Sequence, residues 1–156
     1  MGGTSFNGLS LVWELARAGH DVTISNRGKT EAKIPVGVER IAVDRTDHDA
    51  MRAALGGKDW DAVYDISGYT RADVELMVEL LKGRCGHYIF ASSTVSYAAT
   101  RMLPFRETSA VDATPRQSEY ARNKLICEDY LFRLHRQERL PATSVPFSMV
   151  FGPNNI

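Results

Sequence analysis

Three side chains in this sequence could move a proton between the protein and a bound molecule. Tyr120 and Lys124 stand in the run Tyr120-Ala121-Arg122-Asn123-Lys124. The surrounding pattern is helical, so positions i and i+4 face the same side, and a phenol and an ammonium can share one site. A free tyrosine titrates only near a pH of about 10, and acid or base work near neutrality calls for a fixed positive charge beside it, which Lys124 can provide. Upstream, Ile89-Phe90-Ala91-Ser92-Ser93-Thr94-Val95-Ser96-Tyr97 ends a run of strand composition in hydroxyls. The C-terminal ends of strands are where open α/β sheets place ligands, so a hydroxyl donor from this run is expected near the same crevice. Each feature alone also suits ordinary structure: a chance pair on a helix, and a serine-rich turn after a strand.

A second constellation could hold an anion. The heptapeptide Gly2-Gly3-Thr4-Ser5-Phe6-Asn7-Gly8 lies immediately before the first helical pattern, where a tight glycine turn exposes backbone N–H groups and the positive end of the helix dipole. A pyrophosphate fits such a cradle, with Gly2, Thr4, Ser5, Phe6 and Gly8 as its candidate contacts. The next strand ends in Ser25-Asn26-Arg27-Gly28-Lys29. An acidic residue there would bind an adenosine ribose and repel a 2'-phosphate. Neutral Asn26 stands in its place, and Arg27 offers a planar fork suited to phosphate, so NADP is expected over NAD. Asp44, at the end of the following strand, could accept a hydrogen bond from an adenine amino group or simply start a turn.

The elements that must position these groups alternate. Apolar helical spacing over 9–18 (Leu11, Val12, Leu15, Ala16) stops at Gly19, a natural residue just past a helix end. Strands are expected at 21–25, 38–43, 62–66, 87–91 and 143–151, and helices at 50–55, 71–81 and 118–139, with a loop of about twenty residues before the last helix. Strand and helix in turn imply an α/β fold with a doubly wound, mostly parallel sheet. No internal repeat or linker divides the chain, and 156 residues suit a single domain, residues 1–156.

Composition narrows the partners. Nineteen basic and nineteen acidic residues cancel, so no overall field draws the chain to nucleic acid or to an anionic membrane. Arg133, Arg136 and Arg139 make a basic stripe, read as a solvated face near a helix C-terminus. No apolar run is long enough to cross a bilayer. Cys85 and Cys127 form no CxxC pair and have no histidine at zinc-ligand spacing, so no metal is expected. The first twenty residues lack the pattern of a signal peptide, which makes the cytoplasm the expected compartment.

In combination, the glycine turn, Ser-Ser-x-x-x-Tyr ending at Tyr97, Tyr120-x-x-x-Lys124, and Gly152-Pro153 after the last strand resemble the extended short-chain dehydrogenase/reductase family of NAD(P)-dependent epimerases and dehydratases. The resemblance covers nearly the whole chain and implies a Rossmann-like fold. It also implies that Ser93 binds the substrate oxygen, Tyr120 is the general acid/base, and Lys124 holds the nicotinamide ribose and tunes Tyr120. Gly2, Ser5 and Gly8 match the family's GxxGxxG spacing with serine in the middle place, and Gly68 stands in a loop that resembles a wall against the cofactor. Family dehydratases are similar in carrying an acidic residue after the catalytic hydroxyl. Thr94 and Val95 stand there instead, which leaves an epimerase or a carbonyl reductase.

By the same resemblance the substrate is a small molecule, a nucleotide-sugar or a related hydroxyl or carbonyl compound, with a homodimer left open. A noncatalytic NADP sensor or an RNA-associated relative is the alternative, although no nucleic-acid partner is expected. Two parts of the family pattern are absent from the sequence: the strand that should precede the glycine turn, and the C-terminal region that grips the substrate. An incomplete chain is the expectation, with strand exchange from another chain as the alternative.

Overall fold

The computed structural model describes residues 1–137 and 139–152, and its elements follow the alternating order. They are α1 (Phe6–Arg17), β1 (Thr23–Asn26), β2 (Glu39–Ala42), α2 (His48–Leu55), β3 (Trp60–Asp65), α3 (Arg71–Leu81), β4 (Cys85–Ser93), α4 (Glu119–Arg136) and β5 (Ala142–Phe147). All pairings between strands are parallel, as connections through helices require. The expected α/β class and parallel pairing are therefore present.

The helices begin where side chains can satisfy their first N–H groups. Thr70 and Asp73 form a reciprocal capping box at α3, and the side chains of Asp47 and Ser118 accept from Ala50 and Ala121 at the starts of α2 and α4. The buried faces of α2, α3 and α4 meet one side of the sheet. Met51, Leu55, Val74, Met77, Leu81, Leu131 and Leu134 pack with Tyr88, Phe90 and Ala142 into one apolar core.

Boundaries move where strand pairing decides them. β4 runs longer than the 87–91 expected because β3 and β5 pair with it on both sides. β5 is shorter than 143–151: the ladder between β4 and β5 closes at Ser93 and Phe147, and beyond that point the chain has no neighbour to pair with. α1 begins at Phe6, ahead of the expected residue 9, because its first turn is built from the glycine turn rather than from the apolar stripe. In the Gly152-Pro153 motif, Pro153 lies outside the described residues.

The sheet is in two parts, β1 with β2 and β3 with β4 and β5. Met1 and Gly2 bridge them. Gly2 N–H donates to Ser25 O at 2.9 Å, the Met1 ammonium donates to Tyr64 O at 2.7 Å, and Met1 O accepts from Ile66 N–H at 3.2 Å. Behind this bridge the facing edges of β1 and β3 border a slot of about 570 Å³ lined by Val12, Leu15, Ile24, Trp60, Ala62 and Leu81 among others. The two facing edges leave room for one parallel strand, which would join the two parts into one sheet. Fusing five apolar β-formers ahead of Met1 should raise the melting temperature in a thermal scan, since each buried Val or Ile side chain is worth about 1.5–3 kcal/mol. A Gly/Ser fusion of equal length should leave it unchanged.

Candidate functional site

The parallel strands deliver their C-terminal ends to one edge, and the start of α1 opens on the same edge. There a cleft of about 320 Å³ is lined by Ser5, Phe6 and Gly8 from the glycine turn together with Ser93, Tyr120 and Lys124. Two constellations 85 residues and more apart in sequence thus share one wall.

The glycine turn meets α1 backbone to backbone. A Cβ on Gly8 would stand 2.7 Å from the amide nitrogen of Gly3 and 3.0 Å from its Cα, a contact only glycine permits. Ser5 occupies the cap position of α1 but makes no side-chain capping bond, so the N-terminal N–H groups of a twelve-residue helix are left for another acceptor. Ser92 Oγ, at the end of β4, and Asn26 Nδ2, at the end of β1, are buried without a partner among the described residues. An uncapped helix start, a close-packed glycine turn and orphaned polar atoms at two strand ends fit a dinucleotide.

Asn26, Arg27 and Asp44 lie at the ends of β1 and β2, outside the cleft lining. Asn26 Oδ1 accepts from Gly28 N–H at 2.8 Å and from Arg40 Nη2 at 3.1 Å, which fixes the turn that carries exposed Arg27. Asp44 accepts from the backbone N–H and the hydroxyl of Thr46, and these bonds hold its carboxyl below the ordinary value, with Arg27 and Lys29 adding to the effect. Gly2 and Thr4 belong to the turn itself. Arg40, which braces Asn26 and also donates to Thr30 O at 3.0 Å, was not among the residues expected from the sequence. A lone arginine in a strand carries no local signal of such a role.

At the other end, Tyr120 is half-exposed while Lys124, one turn on, is 1% exposed. The Lys124 ammonium donates to Gly68 O at 2.7 Å and Ala91 O at 2.6 Å, and lies 4.6 Å from the Phe90 ring centroid, 5.1 Å from that of Tyr69 and 5.6 Å from that of Tyr120. Burial draws its pKa down, and the nearby Asp65 carboxylate opposes that. Burial pushes the Tyr120 phenol up, and a hydrogen bond with Ser93 works the other way. The Lys124 ammonium, expected to tune the phenol, points at the Gly68 and Ala91 carbonyls in the resting cleft. Gly68, expected as a wall against a cofactor, is here an acceptor for Lys124. Tyr69, whose ring centroid is 6.2 Å from that of Tyr120, lines the cleft as well and was not foreseen.

Residues 1–156 match the NAD dependent epimerase/dehydratase family. The chain belongs to that family. It is 32% identical over 168 residues to the chloroplast stem-loop binding protein of 41 kDa b of Arabidopsis thaliana, covering 99% of this chain and 42% of that one. It is 30% identical over 128 residues to 2'-dehydrokanamycin reductase of Streptomyces kanamyceticus, covering 82% of this chain and 35% of the other. Among solved structures, the epimerase Mth375 of Methanothermobacter thermautotrophicus superposes with a TM-score of 0.82 at 18% identity, over 99% of this chain and 52% of its own. The chain thus spans about half or less of the length of these relatives. That last likeness shows the fold, a Rossmann-like arrangement, and the expected family resemblance is met. Among the described residues no helix is long and apolar enough to cross a membrane.

The cradle makes a direct prediction. Gly8→Ala should destabilise the protein by about 1–3 kcal/mol, because the Cβ meets backbone rather than a movable side chain. It should also weaken binding of a reduced nicotinamide dinucleotide, followed by its fluorescence, whereas Gly19→Ala, strained at its positive φ but meeting no neighbouring atom, should lower stability without weakening binding.

Proposed function

We propose that this chain is the cofactor-binding part of an NAD(P)-dependent epimerase or oxidoreductase, acting on a hydroxyl-bearing or carbonyl carbon of a nucleotide-sugar or related sugar. The single observation that carries this reading is the shared cleft, which joins the glycine cradle to Ser93, Tyr120 and Lys124. NADP, when bound, supplies or accepts the hydride. The cradle N–H groups of α1 would hold its pyrophosphate, and Arg27 with Lys29 would favour a 2'-phosphate over the bare ribose of NAD.

Ser93 Oγ donates to the substrate oxygen and orients it. Tyr120 Oη passes a proton to that oxygen during reduction and takes it back during oxidation, from the same cleft wall as Ser93. Lys124 keeps a positive charge beneath the site and has one N–H left for a ribose hydroxyl after donating to Gly68 O and Ala91 O. The loop after Ser93 offers Thr94 and Val95 rather than a carboxylate, so a second acid for water elimination is not supplied there. Epimerisation would return the hydride and leave the cofactor level constant. Carbonyl reduction, the chemistry named for the Streptomyces relative, would consume NADPH.

A second reading is RNA association, favoured by the identity to the stem-loop binding protein. Its basic stripe is partly neutralised here, since Arg133 pairs with Asp129 at 3.3 Å. Activity is tested by incubating the protein with UDP-sugars and keto-sugars while following NADPH absorbance and product configuration. Tyr120→Phe should lower turnover about 10²- to 10⁴-fold, with the NADPH dissociation constant within about threefold of wild type. Unchanged turnover in Tyr120→Phe would refute the relay.

A further inference from the structure

Beneath the cleft lies a charged cluster that the proton relay does not use. Asp65, the last residue of β3, is fully buried. Arg45, in the loop between β2 and α2, grips it with both terminal nitrogens, Nη1 to Oδ1 at 2.8 Å and Nη2 to Oδ2 at 2.7 Å. Tyr88, buried in the middle of β4, donates its hydroxyl to Oδ2 at 2.6 Å. A planar fork and a phenol thus fix both carboxylate oxygens at the end of a strand whose next residues form the loop below the cleft.

That loop is clamped at several points. Arg45 also donates to Ser67 Oγ at 3.1 Å and to Asp73 O at 3.3 Å, while Ser67 N–H donates to Asp65 Oδ1 at 3.3 Å. Asp73 Oδ2 in turn accepts from the N–H groups of Tyr69 and Thr70. Gly68 sits directly on the carboxylate: a Cβ there would come within 2.8 Å of Asp65 Oδ2 and 3.1 Å of Phe90 Cε2. The other side of the same glycine offers its carbonyl to the Lys124 ammonium.

We propose that Arg45, Asp65 and Tyr88 are positioning residues that fix the Gly68 carbonyl and, through it, hold the Lys124 ammonium where a bound dinucleotide meets Tyr120. The functional weight of this inference rests on the relay reading; the mechanical part stands on the contacts alone. The carboxylate is not among the residues that line the cleft. It sets the height of the loop, and Gly68 together with Ala91 leaves the ammonium one orientation.

The test reads Lys124 itself. Native-state reductive methylation, followed by peptide mass analysis, gives the rate at each lysine, with exposed Lys58 and Lys82 as references and buried Cys127, one turn further along α4, as a thiol probe of global opening. In the wild type Lys124 should react at least about tenfold more slowly than the references. In Tyr88→Phe, Gly68→Ala and Arg45→Met its rate should rise by about fivefold or more while Cys127 stays protected. Tyr88→Phe keeps the ring and removes only the hydroxyl, so it carries the test should Arg45→Met fail to fold. Lowered melting temperature with Lys124 still protected in Tyr88→Phe and Gly68→Ala would overturn the proposal and leave the cluster a purely structural one. NADPH titration separates the two readings. Faster Lys124 labelling with weaker NADPH binding supports both, and faster labelling with unchanged binding supports the positioning role while removing Lys124 from cofactor binding.

Discussion

The constraint on which the rest of the structure turns is a carboxylate with no access to water. Burial alone would raise the Asp65 carboxyl, but the Arg45 guanidinium, the Met1 ammonium and the Tyr88 hydroxyl together offset that and hold it below its ordinary value. Removing one partner from such a pair leaves an uncompensated buried charge, typically at about 3–5 kcal/mol, so its members stand or fall together. Their places in the chain matter more than their energy. Arg45 follows β2, Asp65 ends β3, Tyr88 lies in β4, and Asp73 opens α3. One ionic knot therefore ties both parts of the divided sheet and a covering helix at the level where strands give way to loops.

Above that knot the arrangement is one of layers. The apolar core lies between the sheet and α2, α3 and α4, and it sets α4 against the strands so that Ala121, Lys124 and Cys127 face inward on successive turns. Tyr120 falls at the edge of that buried stripe, half in the cleft and half in solvent. A lysine on an apolar face is costly unless its donors are met, and the carbonyls of Gly68 and Ala91 meet two of the three. The polar end of the site is thus built from the irregular backbone that parallel strands expose at their ends.

Much of this was legible in the sequence, and the reasons differ by residue. The helix over 71–81 is found at its expected bounds, and the capping box of Thr70 and Asp73 that starts it is a local feature of the chain. The Tyr120 and Lys124 pair share a face because helix geometry alone dictates it. The glycine turn announced its close packing through composition, and Gly8 against Gly3 is the reason. Contacts across long stretches of chain were not legible. Nothing near Arg45 or Asp65 marks a pair 20 residues apart, and nothing near Lys124 tells that its ammonium is drawn to carbonyls 33 and 56 residues away rather than toward the phenol. Strand ends were missed for the same reason: β5 stops where its neighbour does, and sequence composition does not contain the neighbour.

The electrostatics of the cleft then bear on the direction of the proposed chemistry. A phenol held above its ordinary value by burial carries its proton at neutral pH, and its bond with Ser93 works only partly against that. A protonated Tyr120 beside a serine hydroxyl is a pair of donors suited to an oxygen on which negative charge develops, which is the situation during hydride addition to a carbonyl. To act as a base on a sugar hydroxyl, the same phenol needs a positive charge that steadies its phenolate. Lys124, whose ammonium lies 5.6 Å from the Tyr120 ring centroid, gives two of its three donors to Gly68 and Ala91. Within the proposed function, the resting cleft therefore presents the Tyr120 and Ser93 hydroxyls as donors, while the clamp on Lys124 leaves one ammonium N–H for a bound molecule.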